Sequence, residues 1–257
     1  MRWDPGLYAR HAGHRGRPFF DLLARVGHEA PRTVVDLGCG PGDLTGTLAR
    51  RWPDARVVGV DSSTEMIDAA RQRPALPGLR FEVGDLSDYT PGGDDVIVTN
   101  AALQWVPGHA ALLERWAHGL PEGGWLAMQV PGNFSAPSHV LMREHAAGPR
   151  WVSRLDGVLR HDDAVGEPSD YLGLLLSAGL EADVWETTYE QVLPGEDAVL
   201  GWVRGTGLRP VLDALSAAEA EEFEAGYGAL LRRAYPAGPH GTVFGFRRIF
   251  AVGHRTA

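Results

Sequence analysis

The chain has 257 residues, a formal net charge of -9 and one cysteine, Cys39. The acidic balance argues against a nucleic-acid or anionic-membrane partner, because a phosphate-binding surface needs clustered Lys and Arg. One cysteine excludes an internal disulfide and a multi-cysteine zinc site, and no apolar run approaches the length of a membrane span. The start of the chain also lacks the apolar segment of a secretory leader, so we expect a cytoplasmic protein.

Five short apolar runs in the first half of the chain predict the strands of a parallel sheet. They are residues 32–38, 55–61, 79–85, 94–100 and 124–130. Helix-length segments separate them, which is typical of βαβ units. A helix is predicted directly after the second run, because Ser62 and Glu65 have the spacing of a capping box and apolar residues follow.

The pattern changes after about residue 131. Residues 132–165 are rich in Gly, Pro, Arg and His and show no clear period. Residues 167–180 predict a helix that ends at Gly179, and residues 181–190 and 242–255 predict two further strands. Between these strands, Ser216 and Glu219 have capping-box spacing and predict the start of a second helix. The simplest interpretation is a parallel sheet whose late connections carry an added cap.

The segment VVDLGCGPGD, residues 34–43, reads as a buried strand that enters a glycine turn. Gly38 and Gly40 fit the start of a dinucleotide fingerprint, but Asp43 occupies the place of its third small residue. Asp36 would lie close to a pyrophosphate and would repel it. A cationic ligand without phosphate removes this conflict, and S-adenosylmethionine (SAM) is such a ligand.

Two further acids follow the next two predicted strands. Asp61 lies 21 residues after Gly40, where it can accept hydrogen bonds from both hydroxyls of a ribose. Asp85 can accept from the amino group of adenine. Each acid alone could equally be a helix cap or a solvated loop residue, but three acids at three successive strand ends favour a nucleoside site.

At these residues the sequence resembles the class I SAM-dependent methyltransferases. The resemblance rests on VVDLGCGPGD, GVDSSTEMI, VGDLSDY and NAALQWVP. It implies a Rossmann-like α/β fold with a seven-stranded, mostly parallel sheet, an antiparallel last strand and helices on both faces. It also implies that the cofactor contacts are Asp36, Gly38, Cys39, Gly40, Gly42, Asp61, Ser62, Met66, Asp85, Leu86, Asn100 and Ala101.

The remaining segments resemble the trans-aconitate 2-methyltransferase family over essentially the whole chain. They are residues 2–26, 100–109, 137–146, 186–194 and 202–215. The implied reaction transfers a methyl group from SAM to one carboxylate of trans-aconitate and gives the monomethyl ester and S-adenosylhomocysteine. The implied organisation is a single domain, residues 1–257. Its core comprises about 29–131, 166–192 and 241–257, and its helical cap comprises about 1–28, 132–165 and 193–240.

A carboxylate acceptor needs no general base, because its pKa near 4 leaves it ionised at pH 7. We therefore predict no catalytic proton-transfer residue, no role of this kind for Glu144 and His145, and no metal, since no His/Asp/Glu cluster has ligand spacing. The other carboxylates of a polycarboxylate substrate need cations, for which Arg is well suited. The predicted substrate contacts are Tyr8, Arg15, Gln104, Trp105, His139, Arg143, Trp202, Arg209 and Arg248.

Several alternatives stay open from sequence. The arginines could be surface ion pairs and the aromatic residues simple core, and only one of Arg247 and Arg248 should face a pocket, because strand neighbours point to opposite faces. The acceptor could be another small carboxylic acid or a carboxyl on a larger carrier. A non-catalytic SAM-binding module is a further possibility. We expect a small-molecule partner and a monomer or weak oligomer.

Overall fold

The structure is a computed structural model that describes residues 12–160 and 164–256, and the side chains from residue 16 onward. The five runs of the first half form five parallel strands. They are β1 (Thr33–Leu37), β2 (Arg56–Asp61), β3 (Leu79–Val83), β4 (Val96–Asn100) and β5 (Trp125–Pro131). The strands predicted at 181–190 and 242–255 are also confirmed. They are β6 (Glu181–Leu193) and β8 (Gly241–His254), with the short β7 (Ala237–Gly238) between them in the chain.

The sheet has the strand order β3-β2-β1-β4-β5-β8-β6, with β7 paired to β8. β8 runs antiparallel to β5, and the predicted antiparallel last strand is therefore confirmed. Four of the five residues of β1 are buried, and so are the first four residues of β4. Strands covered on both faces read as continuous apolar runs, which is why the sequence revealed them.

Ten helices connect or follow these strands in the described part of the chain. They are α1 (Ala12–Leu23), α2 (Thr45–Arg51), α3 (Thr64–Arg71), α4 (His109–His118), α5 (Pro137–Ala146), α6 (Val152–Leu155), α7 (Pro168–Ser177), α8 (Ala198–Arg204), α9 (Arg209–Ala214) and α10 (Ala217–Ala234). A short 3-10 turn, Leu103–Trp105, follows β4. None of these helices is long and apolar enough to cross a membrane.

The structure confirms one of the two capping boxes predicted from sequence and shows a different cap at the other helix. The box at α10 is confirmed, because Ser216 Oγ accepts from Glu219 N and Glu219 Oε2 accepts from Ser216 N. The box predicted from Ser62 is wrong. Ser63 is the residue before α3, and its Oγ accepts from Met66 N at 3.2 Å. The helix begins one residue later than predicted because two serines compete for the cap.

The chain divides into two compact units. The sheet unit comprises the described residues up to 131, residues 165–187 and the residues from 248 onward. It contains β1–β5, α1–α4 and α7. Its centre is an apolar sheet in which Val57, Ile97 and Leu126 are fully buried.

The helical unit comprises residues 132–164 and 188–247 and contains α5, α6 and α8–α10. Its core holds the fully or almost fully buried rings of Trp202, Phe223, Tyr227 and Phe244. Tyr227 Oη donates to Ser138 O at 2.7 Å, which ties the first turn of α5 to α10. The core of the helical unit is formed by apolar residues of that unit.

Candidate active site

The glycine turn after β1 depends on backbone conformations that residues with a side chain rarely adopt. Gly38, Gly40 and Gly42 have φ angles of 79°, 54° and 77°. A Cβ on Gly38 would lie 2.3 Å from Ala102 Cβ, which is too close for two carbon atoms. Gly38 N also donates to Val60 O at 2.8 Å and so fixes the turn against β2. The turn therefore requires glycine at its first position for both conformation and space.

A cavity of about 310 Å³ lies beside this turn, at the carboxyl ends of β1, β2, β3 and β4. Open parallel sheets bind ligands at this edge. Ten of the predicted contact residues line it: Gly38, Gly40, Asp61, Ser62, Met66, Asp85, Leu86, Asn100, Ala101 and Trp105. The rest of its described lining is Pro41, Ser87, Ala102, Val106 and Pro107.

A second, smaller cavity of about 40 Å³ lies on the other side of the turn. Its described lining is Phe19, Asp36, Gly38, Cys39, Gly40, Pro41, Asp43, Leu44 and Asn100. Four of these residues also line the large cavity, so the two cavities share one wall. The predicted contacts Asp36 and Cys39 lie here. Gly42 lines neither cavity, because its Cα faces the ring of Phe81.

Asp36 is the most perturbed acid of the site. Its carboxylate is 3% exposed and accepts from Thr45 Oγ1 at 2.6 Å. Burial raises its pKa to about 7, the Thr45 hydrogen bond opposes this shift, and the negative charge of Asp61 adds to it. Burial also raises the pKa of the Cys39 thiol far above its ordinary value, so this cysteine stays protonated. Asp36 is thus a carboxylate whose ionised form would be favoured by a nearby cation.

The other two acids are held at the rim of the large cavity by backbone amides. Asp61 accepts from Gly40 N and Ser63 N, each at 2.9 Å through a different oxygen. Asp85 is exposed and accepts from Ser87 N at 2.8 Å. Each carboxylate is oriented by the chain itself and keeps lone pairs for a ligand.

The end of β4 carries strained backbone at the cavity wall. Ala101 has a φ of 56°, which is uncommon for a residue other than glycine. Its amide donates to Gln129 O at 2.9 Å, and its carbonyl accepts from Gln104 Nε2 at 2.6 Å. Gln104 is almost fully buried and lines neither of these two cavities, and its predicted contact with substrate stays a prediction. Asn100 Oδ1 has no hydrogen-bond partner among the described residues.

Four polar side chains follow one face of the sheet at this edge. Asp36 pairs with a residue of β4 that lies two positions before Asn100. Paired residues, and residues two positions apart on one strand, point to the same face, so the side chains of Asp36 and Asn100 share a face of the sheet. Asn100 pairs with Gln129, and Arg248 pairs with the residue two positions after Gln129. Arg248 Nη1 donates to Gln129 Oε1 at 3.3 Å. Sequence reasoning missed Gln129, because it lies inside an apolar run.

The helical unit brings together two other predicted residues. His139 and Arg143 lie one turn apart on α5 and line a cavity of about 10 Å³, as their spacing indicated. Its full described lining is Phe134, His139, Met142, Arg143, Leu159, Arg160, Gly207 and Pro210. Burial, together with the smaller effect of the charges of Arg143 and Arg160, lowers the pKa of His139 to about 4. Arg160 was missed, because its segment shows no period.

The other predicted substrate contacts that the structure describes line none of the three cavities. Trp202 is 1% exposed and packs against Phe244 and Phe246, so it belongs to the core of the helical unit, and it lines none of the three cavities described above. Arg209 begins α9 and lines none of the three cavities. Arg248 is buried and its neighbour Arg247 is half-buried. Tyr8 and the side chain of Arg15 lie outside the described residues.

The sheet topology and the cavity at its carboxyl edge define the class of the protein, which has a class I SAM methyltransferase fold. Residues 34–124 match a family model described as a methyltransferase domain. Among solved structures, the plantazolicin methyltransferase BpumL in complex with SAH is 16% identical, with a TM-score of 0.52, and the match covers 99% of this chain and 91% of that one. This likeness supports the fold.

Curated relatives identify the family within this class. A trans-aconitate 2-methyltransferase of Streptomyces coelicolor is 57% identical over 262 residues, which cover 98% of this chain and 86% of the relative. Another, from Streptomyces avermitilis, is also 57% identical and covers 99% of this chain and 97% of the relative. The chain belongs to the trans-aconitate 2-methyltransferase family.

Proposed function

We propose that the protein is a SAM-dependent O-methyltransferase that esterifies one carboxylate of trans-aconitate, giving the monomethyl ester and S-adenosylhomocysteine. The observation that carries this proposal is the 57% identity to curated trans-aconitate 2-methyltransferases over 98% of the chain. That similarity includes the helical unit, which lies outside the part matched by the general methyltransferase model. We further propose a small-molecule acceptor and a cytoplasmic location, as the sequence resemblance implies.

The two cavities of the sheet unit suit a cationic, phosphate-free cofactor. Their described linings contain four acids and neither Lys nor Arg. Asn100 Oδ1 and the carboxylate of Asp36 offer acceptors to an ammonium group in the smaller cavity. We assign Asp61 to the ribose hydroxyls and Asp85 with Leu86 to the base, as the resemblance implies. Met66 lines the same cavity and would pack against the adenine.

SAM, when bound, supplies an electrophilic methyl group. The chain has no proton to remove from the acceptor, since a carboxylate is ionised at pH 7. Its tasks are to orient one carboxylate oxygen and to exclude water. Exclusion of water strengthens the attraction between the acceptor anion and the cationic cofactor, and both charges disappear in the product. No side chain is therefore assigned as a general base.

The acceptor is expected to be held by cations and an aromatic wall. As the resemblance implies, Arg143 and Arg248 are candidate partners for the carboxylates that do not react. Trp105 lines the large cavity. Arginine matches a carboxylate with two parallel donors. We retain Tyr8, Arg15 and Arg209 as candidates on the basis of the resemblance alone.

An acceptor panel tests the proposed function. Purified protein and SAM are incubated with trans-aconitate, cis-aconitate, citrate, a monocarboxylic acid and no acceptor, and S-adenosylhomocysteine formation is followed. We expect turnover with trans-aconitate that clearly exceeds turnover with every other acid. Equal or higher turnover with a monocarboxylic acid would favour a different acceptor. Binding of SAM by calorimetry without turnover on any acid would favour a non-catalytic SAM-binding module.

A further inference from the structure

The cavity loop, residues 101–108 between β4 and α4, forms part of the wall of the large cavity. Five of the lining residues come from it: Ala101, Ala102, Trp105, Val106 and Pro107. Its backbone is left-handed at both ends, since Ala101 has a φ of 56° and Gly108 a φ of 69°. A left-handed residue other than glycine persists only where its surroundings hold it. The conformation of this wall therefore depends on contacts at the ends of the loop.

The two ends of the cavity loop are fixed to different elements of the sheet unit. At its start, the Ala101 amide donates to β5, as described above. At its end, His109 begins α4 and is 6% exposed, and its Nε2 lies 2.8 Å from Tyr171 Oη on α7. The two rings stack with their centroids 5.9 Å apart. His109 N donates to Val106 O at 3.3 Å, so the histidine contacts a residue of the cavity wall directly.

The hydrogen bonds around Tyr171 have a defined direction. Gly166 N donates to Tyr171 Oη at 3.0 Å, which leaves the hydroxyl proton for His109 Nε2. Burial lowers the pKa of His109 and so favours the neutral ring, in which Nε2 accepts and Nδ1 carries the proton. The ring also forms a hydrogen bond with the backbone of Val106, which opposes this shift of the pKa. Gly166, Tyr171 and His109 therefore form one chain of hydrogen bonds that ends at the cavity wall.

We propose that His109 and Tyr171 are positioning residues that hold the cavity loop in the conformation that binds SAM. Neither side chain lines any of the three cavities, so both act through the loop. The inference rests on the proposed function, because it takes the large cavity as the cofactor site. Without the bond between Tyr171 and His109, the loop occupies the binding conformation for only part of the time. The apparent Kd for SAM then rises by the inverse of that fraction, whereas the complex, once formed, is unchanged.

The test removes one hydroxyl group, in the variant Tyr171→Phe. One hydrogen bond corresponds to a factor of about two to ten in an equilibrium constant. We expect the Kd for SAM, measured by calorimetry, to rise by this factor, while kcat at saturating SAM and trans-aconitate stays within about twofold of wild type. Tyr227→Phe is the matched control, because it removes a buried tyrosine hydroxyl that donates to Ser138 O in the helical unit. The control should lower Tm to a similar extent and leave the Kd for SAM unchanged.

A second variant, His109→Leu, removes the acceptor of the same hydrogen bond. If both variants act through that bond, the double variant binds SAM no more weakly than His109→Leu alone. Multiplied effects in the double variant would overturn the proposed pair, and so would a wild-type Kd in Tyr171→Phe. An equal rise of Kd in the Tyr227→Phe control would also overturn it, since that result indicates a general loss of stability. If His109→Leu fails to fold, Tyr171→Phe and its control decide.

Hydrogen exchange separates this inference from the proposed function. In the ligand-free protein, the amides of residues 103–109 should exchange faster in Tyr171→Phe than in the wild type or in Tyr227→Phe. If the wild-type protein binds no SAM, the proposed function fails, and the exchange measurement then tests the hold on the loop alone. Faster exchange confined to Tyr171→Phe supports that hold, and unchanged exchange overturns it.

Discussion

Replacing Asp36 with asparagine should stabilise the ligand-free protein, and the gain should be clearly larger at pH 8 than at pH 5. Burial raises the pKa of Asp36 to about 7 in the folded protein, whereas an exposed aspartate has a pKa of 3.8. The native state therefore holds this proton to higher pH than the unfolded chain does. The cost of ionising Asp36 appears as pH rises from about 4 and is complete above about 7. Asparagine carries no charge and avoids this cost.

The expected gain follows from the two pKa values. Each pKa unit corresponds to about 1.4 kcal/mol, so the full cost above pH 7 is on the order of a few kcal/mol. Asparagine has nearly the same shape, and its Oδ1 can replace the carboxylate as acceptor for Thr45 Oγ1. A protein of this size gains about 2–4 °C per kcal/mol. A rise in Tm of about 5–10 °C at pH 8 is the corresponding prediction.

The assay is thermal unfolding of the wild-type protein and the Asp36→Asn variant without SAM, at pH 5, 6, 7 and 8. Asp54→Asn is the control, since Asp54 is exposed and lines none of the three cavities. The gain should grow with pH and level off near pH 7 to 8. A variant that is less stable than the wild type at pH 8, or a gain that is independent of pH, would show that the folded protein does not raise the pKa of Asp36.

The same substitution should cost cofactor affinity. An ammonium group near Asp36 favours its ionised form, so binding of SAM at pH 6 must first remove a proton that is already absent at pH 8. We expect the wild-type Kd for SAM to rise about tenfold per pH unit below pH 7. Asp36→Asn should bind SAM about ten- to a hundredfold more weakly at pH 8 and lose this pH dependence. A wild-type Kd for SAM that does not change from pH 6 to 8 would show that the charge of Asp36 does not contribute to cofactor binding.

Three further substitutions test the placement of single residues. Gly38→Ala should lower the free energy of unfolding, measured in urea, by about 1–3 kcal/mol and abolish SAM binding, because it adds both backbone strain and a clash with Ala102. The control is Gly93→Ala, at a position with positive φ but open space, which should lower the free energy of unfolding less. Asp61→Ala should raise the KM for SAM about ten- to a hundredfold while the KM for the acceptor changes little, and an unchanged KM for SAM would contradict the ribose assignment. Trp202→Ala should lower the free energy of unfolding by about 3–5 kcal/mol, and a loss below 1 kcal/mol would argue against its place in the core.

The sheet and the cofactor side of the site were predictable because their signals are local. A strand buried on both faces is a continuous apolar run, and a ligand at the carboxyl edge of a parallel sheet is met by residues directly after each run. Asp36, Asp61 and Asp85 therefore lie at strand ends that the sequence reveals. The predicted N-cap, Ser62, is one residue too early, because two adjacent serines are both suitable N-cap residues and sequence does not choose between them.

The helical unit was less predictable because its contacts join distant segments. α5 buries Ser138, Met142 and Ala146 at intervals of four, but two of these residues are not strongly apolar, so no period is visible. Trp202 was assigned to substrate because sequence does not show which aromatic ring lies in a core. Arg160 approaches His139 only through the fold, and its own segment gives no sign of it. Sequence likewise did not show which of Arg247 and Arg248 points inward. The burial pattern of β8 shows that Arg248 is the buried one.

The central claim is that this chain transfers a methyl group from SAM to a carboxylate of trans-aconitate. The most direct measurement is a single-turnover reaction with SAM labelled in its methyl group, analysed by mass spectrometry of the acid products. We predict that the label appears in a monomethyl ester of trans-aconitate, in an amount equal to the S-adenosylhomocysteine formed. Label that stays in SAM, or that appears in another acceptor while trans-aconitate remains unmodified, would show that trans-aconitate is not the methyl acceptor.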